Sequence, residues 1–340
     1  MQHKNLIESI LQKMKILFSA LAILFISACS QVTRNDIPVE KKYGIVNVSV
    51  ANLHSKPAYS SETTTQLLLG APLHILQHEG NWYQVKTTEE YISWIPGNVF
   101  VKLDSLAYIE HCKKEKKIIF TDDYGFAYEF PDINKQRASD LVFGSILQYE
   151  ENAGSFYKVS FPDGRKAYIL KSQADTFDHW LSTRQVNADS IAKTALSLKG
   201  IPYMWGGTSV KALDCSGFTK TVFLKNGIIL LRDASQQATT GIPVDISQGY
   251  SNLQVGDLMF FGKKASNDKK ERIRHVAIYL GNRFFIQAVG YIRISSLDPR
   301  SPVYDETNTR EFIRATRIIG AIGSKGIKNM DDYYMIDKKN

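Results

Sequence analysis

Between residues 43 and 172 the chain runs twice through the same order of short, partly alternating apolar stretches, and this repetition restricts the fold more than any other feature. In the first pass I-V-N-V-S-V leads to T-Q-L-L-L-G-A-P-L-H-I-L, W-Y-Q-V-K and Y-I-S-W-I-P. In the second, K-I-I-F-T-D leads to S-D-L-V-F-G-S-I-L-Q-Y and F-Y-K-V-S-F-P-D-G-R-K-A-Y-I. Runs of this length, separated by turn residues, predict strands. Each copy holds a Gly-centred kink, Leu69-Gly70-Ala71 and Phe143-Gly144-Ser145, ahead of an aromatic hairpin. Two diverged copies of a small all-β barrel are expected, over residues 43–103 and 117–174.

From Asn187 the period changes. N-A-D-S-I-A-K-T-A-L-S-L-K-G opens with capping residues, places Ile191, Ala195 and Leu198 at helical spacing and stops at Gly200. A second helix, S-G-F-T-K-T-V-F-L-K, ends at Asn226-Gly227. Strands follow: G-D-L-M-F-F, R-H-V-A-I-Y-L, R-F-F-I-Q-A and F-I-R-A-T-R-I-I. Helices and then a meander predict an α+β domain over 185–320, with 321–340 left as a polar tail.

The N-terminus reads as an export signal. From Met14, a better start than Met1, one Lys precedes an apolar run that ends in Ser27-Ala28-Cys29. It is short for a membrane span, which needs about 20 apolar residues. Residues 30–42 form a polar tether. The net charge of +8 would suit an anionic partner, yet no basic run is interleaved with aromatics. The densest cluster, K-K-E-K-K at 113–117, reads as a solvated linker. Nucleic acid is therefore not an expected partner, no metal or cofactor constellation is visible, and a monomer is expected.

With Cys29 in the signal, Cys112 and Cys215 remain, too few for a disulfide framework. Cys112 lies in the linker-like stretch. Cys215 opens a helix behind the N-cap candidate Asp214, where the helix dipole and loose N–H groups favour thiolate while the Asp214 charge opposes it. A nearby imidazole is needed, and His275, at the start of H-V-A-I-Y-L, is the histidine in the same domain. Parity tests its partner. A strict two-residue turn at Gly281-Asn282 would put Gln287 on the opposite face from His275; a bulged turn puts both on one face. The bulged register is expected, with the Gln287 carbonyl holding Nδ1–H of His275.

P-Y-M-W-G-G-T-S…D-C-S-G-F-T, V-G-D-L-M-F-F and R-H-V-A-I-Y-L-G-N-R-F-F-I-Q-A stand in the order and approximate spacing of the NlpC-type cysteine peptidases, which this region resembles over about 130 residues. The paired hairpins resemble bacterial SH3-like domains, and I-S-A-C resembles the lipobox of bacterial lipoproteins. The resemblance implies a papain-like catalytic domain behind two SH3-like barrels, with Cys215 as nucleophile, His275 as base and Gln287 as the orienting residue. Tyr203 and Trp205 would line the cleft. Cys29 would carry lipid, making the membrane a partner and the cell envelope the location.

The whole arrangement is similar to the dipeptidyl-peptidase VI type of γ-D-glutamyl-L-diamino-acid endopeptidase, which implies peptidoglycan peptides with a free L-Ala amine as substrate. By that likeness Asp214, Ser216, Asp233, Tyr91 and Glu62 would bind the substrate's N-terminal end, and Ala234 stands where a Ser can occur. An endopeptidase of the intact wall and an inactive wall-binding lipoprotein are the competing readings.

Overall fold

The computed structural model describes residues 40–113, 116–266 and 268–333. Cys29, the export signal and the tether up to residue 39 lie outside the described residues. Among the described residues no helix is long and apolar enough to cross a membrane.

Seven strands form the first sheet: β1 (Tyr43–Val46), β2 (Val50–His54), β3 (Thr63–Leu68), β4 (Pro72–Glu79), β5 (Trp82–Thr87), β6 (Ile92–Pro96) and β7 (Phe100–Leu103). Seven more form the second: β8 (Lys117–Phe120), β9 (Tyr124–Tyr128), β10 (Arg137–Val142), β11 (Ile146–Ala153), β12 (Phe156–Ser160), β13 (Lys166–Leu170) and β14 (Ala174–Thr176). Their strand orders, β3-β2-β6-β5-β4-β1-β7 and β10-β9-β13-β12-β11-β8-β14, are the same order repeated. The match extends to single pairs. Val50 faces Leu68 as Tyr124 faces Val142, and His54 faces Trp94 as Tyr128 faces Tyr168. Gly70 and Gly144 both take positive φ, 83° and 86°, the left-handed kink for which glycine is suited.

The segment between the two sheets departs from the linker reading. Residues Ser105–Lys113 form a helix whose Tyr108 and Cys112 pack against Ile45, and Lys117 is buried as the first residue of β8, donating to the Cys112 carbonyl at 3.1 Å. The aliphatic stem of a lysine can be buried while its ammonium keeps one polar partner, which a charge count along the sequence does not register.

The remaining strands are two short pairs, β15 (Thr208–Ser209) with β16 (Ala212–Leu213) and β17 (Ile228–Leu230) with β24 (Ile327–Asn329), and a six-stranded sheet. That sheet holds β18 (Ile242–Val244), β19 (Leu258–Lys263), β20 (Arg272–Gly281), β21 (Phe284–Val289), β22 (Tyr291–Ser296) and β23 (Phe312–Arg317), in the order β18-β23-β19-β20-β21-β22. Two helices cover it. Ala188–Ser197 is capped by the Asn187 side chain and buries Ile191 and Ala195; Cys215–Lys225 buries Phe218 and Val222 against Val276, Ile278 and Ile286. The architecture is the expected α+β region behind two all-β sheets. The polar tail is shorter than expected: Ile327 and Met330 are buried, and β24 pairs with β17 because apolar residues spaced among charges at 327–330 supply a strand's worth of core.

Candidate active site

Cys215 is the first residue of its helix, and Asp214 caps it, the carboxylate accepting from the Gly217 N–H at 2.7 Å. Gly217 is required by proximity: a Cβ there would lie 1.9 Å from the Gly207 carbonyl oxygen. The Asp214 carboxylate also accepts from the Gly206 N–H (3.0 Å) and from both terminal nitrogens of Arg232 (2.5 and 3.2 Å), which in turn reaches Ser216 Oγ at 2.9 Å. Asp214 and Arg232 are 5% and 2% exposed, so each needs the other: an unpaired buried charge costs several kcal/mol. With these donors engaged, Asp214 holds the helix start in place, and it also lines the cleft at Cys215. The pairing escaped sequence reasoning, although Arg232 stands directly before Asp233.

Burial, and then the Asp214 charge, push the Cys215 thiol up to about 11; the N–H groups of Val276 and Ser216 oppose the shift. Val276 follows His275 on β20, which places the histidine strand against the helix start. Burial lowers His275 to about 4, with the Gln287 hydrogen bond pulling the other way. Both shifts favour a neutral thiol beside a neutral imidazole in the resting site.

The hairpin that carries His275 and Gln287 is bulged. Ile278 pairs with Ile286 and Tyr279 with Phe285, but Gly281 pairs with Phe284, and Gly281, Asn282 and Arg283 all have positive φ. This register puts His275 and Gln287 on one face, 2.7 Å apart at Nε2 and Oε1. The nitrogen differs from the expected one: Nε2, not Nδ1, meets the amide. The reason lies one shell out. The Gln287 amide nitrogen donates to Asp305 Oδ2 and Ser295 Oγ, both at 2.8 Å, and its oxygen accepts from Asn308 Nδ2 at 2.9 Å. The amide is thereby oriented oxygen-first toward the ring, so Nε2 carries the proton and Nδ1 of the neutral ring is the basic atom. Asp305 caps the helix Glu306–Arg310 through the Asn308 N–H at 3.0 Å. The D-E-T-N spacing of that cap was the available signal for Asp305 and Asn308.

A cleft of about 520 Å³ opens at Cys215, lined by Tyr203, Trp205, Ser216, Asp233 and Ala234 from the catalytic region and by Glu62, Thr64 and Tyr91 from the first barrel. Trp205 Nε1 donates to Glu62 Oε1 at 2.6 Å. The Tyr91 hydroxyl is hydrogen-bonded to Asp233; burial and then the Asp233 charge push it up to about 12. Burial raises the Asp233 carboxyl, with Glu62 adding to the shift. Burial followed by the Cys215 charge pushes Tyr203 up to about 12. One end of the cleft is thus acidic, built from two domains.

The first barrel is fastened there by several contacts. The Thr208 N–H and hydroxyl bond to Gln66 at 3.0 and 2.9 Å, and Lys220 on the Cys215 helix pairs with buried Glu89. Gly206, at φ 79°, lets the backbone approach Thr63 so closely that a Cβ would sit 2.3 Å from its carbonyl oxygen. Glu90 takes φ 67°, a left-handed turn that sends Glu89 inward and leaves Tyr91 facing the cleft.

Residues 200–314 match the NlpC/P60 family and residues 49–101 the bacterial SH3 domain. The chain is 28% identical over 231 residues to a gamma-D-glutamyl-L-lysine dipeptidyl-peptidase of Bacillus cereus, a match covering 66% of each chain. It is 29% identical over 297 residues to dipeptidyl-peptidase 6 of Lysinibacillus sphaericus, covering 82% of this chain and 98% of that one. Its fold is that of an NlpC/P60 family protein from Bacillus cereus, with a TM-score of 0.67 at 23% identity over 81% of this chain and 99% of the other. Matching family segments, a shared fold and a buried cysteine at a helix start beside a histidine strand agree: residues 200–314 form an NlpC/P60 cysteine-peptidase domain, and residues 49–101 a bacterial SH3-like accessory domain.

Proposed function

We propose that this peptidase hydrolyses the bond between γ-D-Glu and the diamino acid in peptidoglycan-derived peptides whose N-terminal L-Ala amine is free. The observation that carries this reading is the acidic end of the cleft, where Glu62, Asp233 and the Tyr91 hydroxyl converge close to Cys215. An ammonium is the natural occupant of a carboxylate pair such as exposed Glu62 and partly buried Asp233. An acylated amine would leave those carboxylates desolvated and unpaired, a cost of the kind that yields strong discrimination. The relatives named for γ-D-glutamyl-L-lysine dipeptidyl-peptidase activity support the same bond.

In this mechanism Nδ1 of His275 takes the Cys215 proton as Sγ attacks the γ-carbonyl carbon of D-Glu. The N–H groups that open the helix receive the developing oxyanion. The imidazolium, its Nε2–H held by Gln287 and indirectly by Asp305, then protonates the departing amine of the diamino acid. A thioester on Cys215 remains; water, deprotonated by His275, attacks it and releases L-Ala-γ-D-Glu with the thiol restored. Cys29, as a lipidated residue, would anchor this activity to the cell envelope.

Mass spectrometry of digests of L-Ala-γ-D-Glu-L-Lys and its N-acetyl form by the full chain tests the reading. Cleavage between Glu and Lys is expected, with kcat/KM for the acetylated peptide lower by about 100-fold or more. Equal cleavage of both peptides would sink the free-amine assignment, and undiminished turnover by Cys215→Ala would sink the mechanism.

A further inference from the structure

Three guanidinium groups line the cleft, and two are committed elsewhere. Arg232 is held by Asp214 and Ser216, and Arg274 donates to Glu311 and to Asn308. Arg272 is different: it is exposed, and among the described residues no side-chain hydrogen bond or ion pair engages its guanidinium. Its backbone is nevertheless fixed. Arg272 pairs with Lys263, and β19 presses so close that a Cβ on Gly262 would lie 2.0 Å from the Arg272 carbonyl oxygen. The strand shifts register between Ile273 and His275, so Arg272 stands at the mouth of the cleft on the wall that carries the histidine.

The cleft is therefore polarised, with Glu62 and Asp233 on one side and an uncommitted cation on the histidine wall. A γ-linked glutamyl residue has the same polarity. Because its side-chain carboxyl forms the peptide bond, its α-carboxylate stays ionised a few bonds from the scissile carbonyl, whereas an ordinary α-linked residue has no anion at that position. We propose that Arg272 reads this α-carboxylate and so selects γ-D-glutamyl peptides over their α-amidated counterparts. The inference rests on the bond specificity proposed above and adds the residue that recognises the glutamate.

The test compares L-Ala-γ-D-Glu-L-Lys with the same peptide amidated at the α-carboxylate, using wild-type full chain, Arg272→Gln and Arg272→Lys. Wild type is expected to favour the carboxylate by about three- to tenfold in kcat/KM, the range of a partly solvated charge-assisted pair. Arg272→Gln should lose this preference by slowing only on the carboxylate peptide, and Arg272→Lys should keep part of it. A preference unchanged in Arg272→Gln, absent in wild type, or lost through equal slowing on both peptides overturns the proposal. Calorimetric titration with the dipeptide L-Ala-γ-D-Glu and its α-amide reads the same contrast without turnover. If wild type cuts neither peptide, the bond assignment fails; the calorimetric ratio then decides Arg272 separately, an Arg272-dependent ratio upholding it and an Arg272-independent one overturning it.

Discussion

The two SH3-like sheets share strand order, register and the position of a left-handed glycine, yet only the first contributes residues to the cleft. Positions that match in register show how little the shared fold decides. Glu62 and Tyr91 face the cleft, while their counterparts in the second sheet are Gln136 and Arg165, outside its lining. Glu89 is buried against Lys220 of the Cys215 helix; its counterpart Asp163 is exposed and pairs with Arg165 and Asn47. Even the docking residues diverge. Leu69 inserts into the core of the second barrel, whereas the matching Phe143 packs on Trp180, Ile229 and Met330. The second barrel reaches the far end of the Cys215 helix, where Asp123 pairs with Lys225, and the first supplies Glu62, Thr64 and Tyr91 to the cleft at Cys215.

The contrast is sharpest at the buried ion pair. Glu89→Gln leaves Lys220 without its counter-charge and is expected to cost about 3–5 kcal/mol, read as a fall in the urea midpoint. Asp163→Asn, in the partly solvated counterpart, should cost less than about 1 kcal/mol. Equal losses would show that burial does not separate the two sites.

At the glycine kinks the expected difference is smaller. Alanine at Gly70 keeps a φ of +83° and drives its Cβ to 1.9 Å from the Ile146 carbonyl oxygen, so backbone must move; about 3 kcal/mol is expected. Alanine at Gly144 meets only leucine methyls, of Leu68 at 3.0 Å and Leu224 at 3.7 Å, leaving mainly the left-handed penalty of about 1–2 kcal/mol. Thermal melts of the two variants rank them, and a Gly144→Ala loss as large as that of Gly70→Ala would contradict the geometry.

Function separates the barrels as well. Glu62→Gln is expected to reduce kcat/KM on free-amine peptides about tenfold, through KM, while Gln136→Glu leaves the kinetics unchanged. The weakest expected effect is on pH dependence. Burial raises Asp233, and the Glu62 charge adds to this, so protonation of Asp233 is expected to weaken binding of the proposed ammonium as pH falls. Removing the Glu62 charge lowers the Asp233 pKa and should move the acid limb of 1/KM to lower pH. A limb displaced upward would show that Glu62 does not act on Asp233.

Periodic and short-range features were legible in the chain. Strand-length runs marked the paired sheets, Asn187 and Asp214 marked helix starts, and parity across Gly281-Asn282 placed His275 beside Gln287, because a bulge changes face by a simple rule. What escaped depended on groups distant in sequence. The nitrogen that His275 presents to Gln287 is set by Asp305 and Asn308, in a helix beyond the next strand. The Asp214–Arg232 pair joins a cap to a residue after the helix it caps, and the helix at 105–113 has too weak an apolar stripe to stand out from its charged surroundings.

By itself, then, the sequence determined the repeated strands, the helix that begins at Cys215 and the histidine strand, all of which follow from side-chain period and backbone preference within a few residues. The likeness pointed to Glu62 and Tyr91 of the first barrel, and tertiary structure brings both into the cleft lining while leaving their counterparts Gln136 and Arg165 outside it. It also gave Asp214, a helix cap that lines the cleft, a buried arginine as partner. The physical reason is that burial and pairing belong to the environment of a charge: a carboxylate written identically along the chain caps a helix, clamps a barrel or lines a cleft according to which cation or solvent reaches it.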